Sequence, residues 1–287
     1  MNYADQYLRD NYFIFINKHV KNKLYMFYFY QYLCFKNIIW KIFKIKYKTQ
    51  KFKNFTIHFD NFYAFFAIFT EIFIYNIYYF ESDKSNPFIV DCWWNIWLSV
   101  LYFKYLYPEA IIECFEPDKE TFMILEKNIK NNNLKDVNCH NKAVSWKSWE
   151  LEFYSFWNME WWPGNTLEKC QVNFSNVNSY KVKVVSLSEL WYKYIDYLKM
   201  DIEWSEWNVF TNLSKSWLIK NIHRIVLEYH YDEWLENNKL SKIIETLENN
   251  NMHVIVNPNA LVWFYTYESD FTRWSNKYVL MINAFHY

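Results

Sequence analysis

The chain has 287 residues, enough for one large α/β domain with an extension or for two small domains, and its 31 basic and 31 acidic side chains cancel. Zero net charge gives no global field for nucleic acid or an anionic membrane. The five cysteines form no Cys-x-x-Cys pair and no metal-ligand spacing, which reads as buried thiols in a reducing, cytoplasmic compartment, and the polar N-terminal MNYADQYLRD is unlike a secretory signal.

Glycine occurs once, where ordinary usage would give about 20, and tryptophan occurs 16 times. The excess of Lys over Arg and the abundance of Asn, Ile, Phe and Tyr indicate an AT-rich gene, a bias that depletes Gly and Trp alike and so does not raise Trp. Many tryptophans stand in turn contexts: Ser-Trp-Lys-Ser-Trp at 145–149, Glu-Trp-Trp-Pro-Gly at 160–164 and Glu-Trp-Ser-Glu at 203–206. We read most of them as UGA codons decoded as Trp, from a source whose own code reads UGA as glycine. The alternative is a genuinely aromatic chain that has lost its site.

In chain order, residues 1–52 alternate aromatic clusters with lysines and are expected to form a basic helical extension, with the lysines as its solvated face or as a contact to a membrane surface. Leu24 to Phe35 is too short to span a bilayer, and Phe62 to Phe80 carries Glu71 and Asn76, so it is expected to be a buried helix. Phe55 to Phe59 reads as a strand. From Phe88 the pattern alternates. Strands are predicted at Phe88 to Val90, Ile111 to Phe115, Val137 to Val144, Lys181 to Val185, Tyr197 to Asp201, Ile222 to Tyr229, His253 to Val256, 261–267 and 278–285. Helices are predicted at Leu98 to Tyr107, Lys119 to Asn132, Ser188 to Tyr194 with a Ser cap, 205–213 and Leu240 to Asn250, with an inserted hairpin from Glu150. Such alternation specifies βαβ units and a parallel sheet.

Two constellations carry chemistry. Asp91, Trp93, Asn95 and Trp97 read D-x-[G]-x-N-x-[G] if the tryptophans stand for glycine, a strand-to-helix turn whose indoles would otherwise fill a cofactor crevice. Glu116 ends the next strand, about 20 residues on, where a carboxylate is placed to hydrogen-bond ribose hydroxyls. The segments IVDCWWNIWLSVLYFKYLYPEA, CFEPDKETFMILEKNIKNNNL, NKAVS, LKMDIEWSE and IVLEYH, in this order, resemble an FkbM-family S-adenosylmethionine-dependent methyltransferase over roughly residues 53–256. The departures are Trp93, Trp97 and Trp204, each at a family glycine.

The resemblance implies the class I fold, a Rossmann-like, seven-stranded, mostly parallel sheet with helices on both faces and the last strand antiparallel. It implies O-methylation of a hydroxyl on a sugar, glycolipid or secondary metabolite. It also implies site roles. Asp91, Asn95 and the backbone at 93–97 would face the methionine part of S-adenosyl-L-methionine, and Glu116 the ribose. Pro117 and Asp118 would flank the adenosine, and Asn141, Lys142 and Ala143 would line the adenine side. Asp201, Glu203 and Glu206 would stand near the sulfonium, with Asp201, Glu203 or His230 as base or acceptor-orienting group. Glu228 is expected to pair with a lysine, and no metal is expected. Two rival readings are a non-catalytic interaction module, if the tryptophans are real, and a nucleic-acid methyltransferase, disfavoured by the charge and by the lack of an Asn-Pro-Pro-Tyr-like tetrad.

Overall fold

The computed structural model describes residues 3–92, 96–147, 149–155, 167, 178–203, 205–232, 240–257 and 277–286. It opens with two helices, α1 (Tyr3–Ile16) and α2 (Lys23–Phe43), followed by a hairpin of β1 (Thr49–Phe52) and β2 (Phe55–His58). The hairpin crosses the boundary drawn at residue 52, and Phe52 is wholly buried among Phe29, Phe69 and Phe73. Its outer edge is closed by side chains rather than by a strand. Asn128 and Asn132, one turn apart, each accept from and donate to the β2 backbone at His58 and Thr56, at 2.7–3.0 Å. Asn128 lies in the last turn of α5 (Lys119–Asn131) and Asn132 caps its end, so the helix terminus pairs the strand's backbone groups.

Between them lie α3 (Phe62–Phe69), β3 (Phe88–Cys92), α4 (Ile96–Leu106) and β4 (Ile111–Phe115). The helix expected over Phe62 to Phe80 is α-helical only through α3, widens to a π-helix at Thr70–Tyr75 and stops at Asn76, whose φ is 57°. After α5 come β5 (Val137–His140), β6 (Ala143–Val144), β7 (Trp149–Ser155), β8 (Asn178–Val185), β9 (Tyr197–Met200), α6 (Glu206–Ser214), β10 (Arg224–Asp232), α7 (Leu240–Asn249), β11 (His253–Asn257) and β12 (Lys277–Phe285). The strand expected at Val137 to Val144 is two strands in different sheets, broken at Asn141 and Lys142. The helix expected at Ser188 is one 3₁₀ turn, Leu187–Glu189, and Ser186 precedes it without a side-chain cap. The strand expected at 261–267 lies outside the described residues.

The main sheet has the order β11-β12-β10-β9-β3-β4-β5, with β12 alone reversed. Alternation along the strands divides the core. Ile89, Tyr197, Val226 and Met281 join the layer under α1 to α5, whereas Val90, Leu198, Leu227 and Ile282 join the layer under α6, α7 and the small sheet β6-β8-β7. Burial on both faces is why these strands read as continuous apolar runs. The chain leaves β3 for β4 and β5 on one side and returns to β9 on the other, so the sheet's switch point, where such folds open a ligand crevice, lies between β3 and β9.

Tryptophan behaves unlike the other aromatics. Among the described residues, eleven Phe and Tyr side chains are the largest fully buried groups and no Trp belongs to the buried core. Trp149 holds φ at 139° and Trp191 at 54°, and both indoles are more than three-quarters exposed, at 80% and 82%. A left-handed backbone with an unburied side chain is what a glycine position looks like.

Candidate active site

The strand ends at the switch point carry buried charge. Asp91 in β3 and Lys199 in β9 are register partners, and Asp91 Oδ1 lies 3.2 Å from Lys199 Nζ while Oδ2 accepts from Ser99 Oγ at 2.5 Å. Burial alone would strip the charge from Lys199, but Asp91 and Asp201 outweigh it and raise its pKa. Burial likewise raises Asp91, with Lys199 and Ser99 opposing.

Asp201 follows β9 directly, wholly buried, with Oδ2 3.9 Å from Lys199 and accepting from the Tyr78 hydroxyl at 3.3 Å. Two residues on, Glu203 has φ 48°, a left-handed turn that costs a non-glycine residue about 1 kcal/mol or more. That turn folds its carboxylate back toward His230 near the end of β10, with Nε2 3.3 Å from Glu203 Oε2. His230 Nδ1 lies 2.9 Å from Glu206 Oε1 in the first turn of α6. Burial opposes charge on His230, but Glu203 and Glu206 override it and hold the imidazole well above its usual pKa. Burial pushes Glu203 up to about 8 against the pull of His230. The structure therefore brings together all three residues expected to act, Asp201, Glu203 and His230. Their ligand atoms lie within 4.8 Å of one another.

Several members of this cluster were not legible as functional. Lys199 sits mid-strand in an apolar run, and Glu71 is buried beside Asp201 with its carboxyl pushed up to about 8, chiefly by burial. The one sequence signal for Glu71 was an acid inside the aromatic stretch 62–80. Glu228, expected to pair with a lysine, does lie within the field of Lys199, but burial and then the charge of Asp201 drive its pKa well above the usual carboxylate value.

The cofactor-side expectations divide. Glu116 is buried just past β4, and its Oε1 accepts the Asp118 backbone N–H at 2.8 Å. Burial, reinforced by Asp118, pushes its carboxyl well up. A buried carboxylate with one backbone donor has acceptor capacity left for hydroxyl ligands. Asp118 caps α5 through Thr121 N–H and accepts the Tyr180 hydroxyl, and Asn141 donates to the Glu116 and Pro117 carbonyls, so both shape the β4–α5 turn. Ala143 is buried in β6 opposite Val184, and Lys142 precedes it, half-buried. Trp93, Asn95 and Trp204 lie outside the described residues, and Trp97 is described only as part of the α4 backbone.

Comparison with known proteins decides the family. The Methyltransferase FkbM domain matches residues 83–254, more than half of the chain. The chain belongs to that family. This methyltransferase is 29% identical over 189 residues to methyltransferase sdnD of Sordaria araneosa, covering 54% of the chain and 72% of that relative. It is 32% identical over 96 residues to methyltransferase 1 of Beauveria bassiana (strain ARSEF 2860), covering 33% of the chain and 37% of that relative. Among solved structures, methyltransferase FkbM from Methylobacillus flagellatus KT superposes with TM-score 0.43 at 11% identity, over 72% of this chain and 45% of that one. M. jannaschii TYW2 in complex with AdoMet gives TM-score 0.42 at 12% identity, over 82% and 84%.

As a member of this family the chain is an S-adenosylmethionine-dependent methyltransferase. When bound, the cofactor supplies an electrophilic methyl group on a sulfonium. The residues fit it: the buried Glu116 carboxyl would take ribose hydroxyls, and the buried acids around Asp201 would favour a cation.

Proposed function

We propose that this methyltransferase acts on a hydroxyl oxygen of a sugar, glycolipid or secondary metabolite. The observation that carries the reading is the buried cluster of Asp201, Glu203, Glu206 and His230 at the ends of β9 and β10, beside the cofactor carboxylates. An alcohol is a weak nucleophile whose O–H must be lost as the new O–C bond forms and the S–C bond breaks. Methyl transfer therefore needs alignment of the oxygen and a route for its proton, and a buried carboxylate–imidazole cluster can orient and polarise the hydroxyl as its proton leaves. Labelled-methyl cofactor offered with a panel of sugars, glycolipids and small hydroxylated metabolites tests this. A labelled methyl ether is expected, and replacing His230 by Asn is expected to lower kcat by about 10²–10⁴-fold. Label on nitrogen or carbon only would overturn the reading.

Supporting a lipid-linked acceptor, the N-terminal helices turn an apolar and basic face outward. We propose that this face rests on an anionic membrane surface.

A further inference from the structure

We infer that Asp201, Glu203 and His230 bind a divalent metal ion of the Mn²⁺ type at the acceptor end of the active site. The position of the ion in the reaction rests on the methyl-transfer reading above; its binding rests on geometry alone.

Two carboxylates and one imidazole present ligand atoms within 4.8 Å of one another, all on buried side chains. The separation of His230 Nε2 from Glu203 Oε2, 3.3 Å, is close to the roughly 3.1 Å between neighbouring ligands on an octahedral ion with bonds near 2.2 Å. Behind the ring, Glu206 lies 2.9 Å from Nδ1. A carboxylate there takes the Nδ1–H and fixes the tautomer, so that an ion displacing the Nε2 proton meets that nitrogen's lone pair, the usual backing of a metal-bound histidine. The independent sign is Asp201. Tyr78 donates to Oδ2 and Glu228 also hydrogen-bonds this carboxylate, while the buried Oδ1 has no well-formed donor among the described residues and keeps acceptor capacity that a cation would satisfy.

Charge points the same way. Glu71, Asp91, Asp201, Glu203, Glu206 and Glu228 are buried here against two bases, Lys199 and His230, among the described residues; burial meets that imbalance by holding the carboxyls of Glu71, Glu203 and Glu228 up towards the neutral form, and a cation would meet it by displacing their protons. The sulfonium of the cofactor offsets one charge. A nitrogen ligand beside carboxylates disfavours Ca²⁺ and suits Mn²⁺ or its first-row neighbours. Three protein ligands leave coordination positions for the acceptor hydroxyl, which the ion would hold beside the methyl group and render more acidic, its proton passing to water.

Titration of MnCl₂ into the full chain without cofactor, followed by calorimetry and by the Mn²⁺ electron paramagnetic resonance signal, tests the site. One ion per chain is expected, with nitrogen modulation of the spin echo from His230 and tighter binding than Ca²⁺. Asp201→Asn and Glu203→Gln should each weaken binding at least tenfold, and Glu206→Gln by about 10–100-fold. Far-UV circular dichroism and the melting temperature serve as the check that each variant is folded. No bound Mn²⁺, or bound Mn²⁺ without nitrogen coupling, overturns the site whatever the variants do. Hydroxyl methylation at full rate after chelation would remove the metal and leave the methyl-transfer reading intact. Mn²⁺ bound as described, with label never reaching oxygen, would keep the site and remove that reading.

Discussion

Trp149, at φ 139° and largely exposed, occupies a backbone region that essentially only glycine populates, and Trp191 at φ 54° is little better. Among the described residues, five of the ten left-handed non-glycine positions are Asn or Asp, which tolerate that conformation, whereas indole gains nothing there from burial. The compositional exchange of glycine for tryptophan thus has a conformational counterpart at positions other than the three named as family glycines. Sequencing of peptides from the native protein is expected to read glycine at 149 and 191, and at 93, 97 and 204; tryptophan at these positions would defeat the recoding. In recombinant protein, Trp149→Gly and Trp191→Gly should each raise stability by about 1 kcal/mol, measured as the urea midpoint. Glycine at 93, 97 and 204 should increase S-adenosylmethionine affinity in calorimetry relative to the chain as written, because an indole at a close backbone approach occupies cofactor space.

At the scale of elements, α1 is tied to α2 and to the π-helical segment by one buried carboxylate. Asp10 accepts from the Tyr30 hydroxyl at 2.5 Å and from the Tyr75 hydroxyl, and burial, partly offset by these bonds and by Arg9, raises its pKa from 3.8 to about 6. The folded state then binds the proton more tightly than the unfolded chain. Its contribution is fully present below about pH 4 and is lost as pH rises through about 6, by up to about 3 kcal/mol. Urea unfolding between pH 4 and 7 should show this falling component, and Asp10→Asn should flatten it; an unchanged slope would place Asp10 outside the linkage. The same helices show where sequence reading succeeds and stops. The βαβ alternation was legible because strands buried on both faces form unbroken apolar runs. The Asn-closed hairpin was not, since its partner is a row of side chains 70 or more residues away. In the site, Asp201, Glu203 and His230 were legible from strand ends. Lys199 and Glu71 were masked because a buried ion inside an apolar run is explained only by neighbours that the sequence does not place.

For the whole molecule, charge is segregated although it sums to zero. Residues 1–48 carry nine basic side chains and two acids, a surplus of seven that the remainder balances. Of those two acids, Asp10 is buried. On α2, Leu24, Tyr28, Phe35, Ile38 and Ile42 form an exposed stripe at helical spacing, and on α1 Leu8, Tyr12 and Phe15 form another. Phe15 and Phe27 meet across the seam between the helices, with ring centroids 5.4 Å apart, and Asn11 and Gln31 hydrogen-bond across it, so the two stripes border one face. Among the described residues no helix is long and apolar enough to cross a membrane. An apolar face flanked by the exposed Lys18, Lys21, Lys41, Lys44 and Lys46 suits the headgroup boundary of an anionic bilayer, where each lysine adds roughly 1 kcal/mol. Co-sedimentation should therefore show binding to phosphatidylglycerol-containing vesicles and little to phosphatidylcholine alone, weakening with salt. Phe35→Ser with Ile42→Ser should reduce partitioning at least tenfold without lowering the melting temperature, because neither side chain packs in the core. Should those variants instead abolish a concentration-dependent dimer while vesicle binding is absent, the face belongs to a second copy of the chain, and the acceptor reaches the site from solution rather than from a lipid surface.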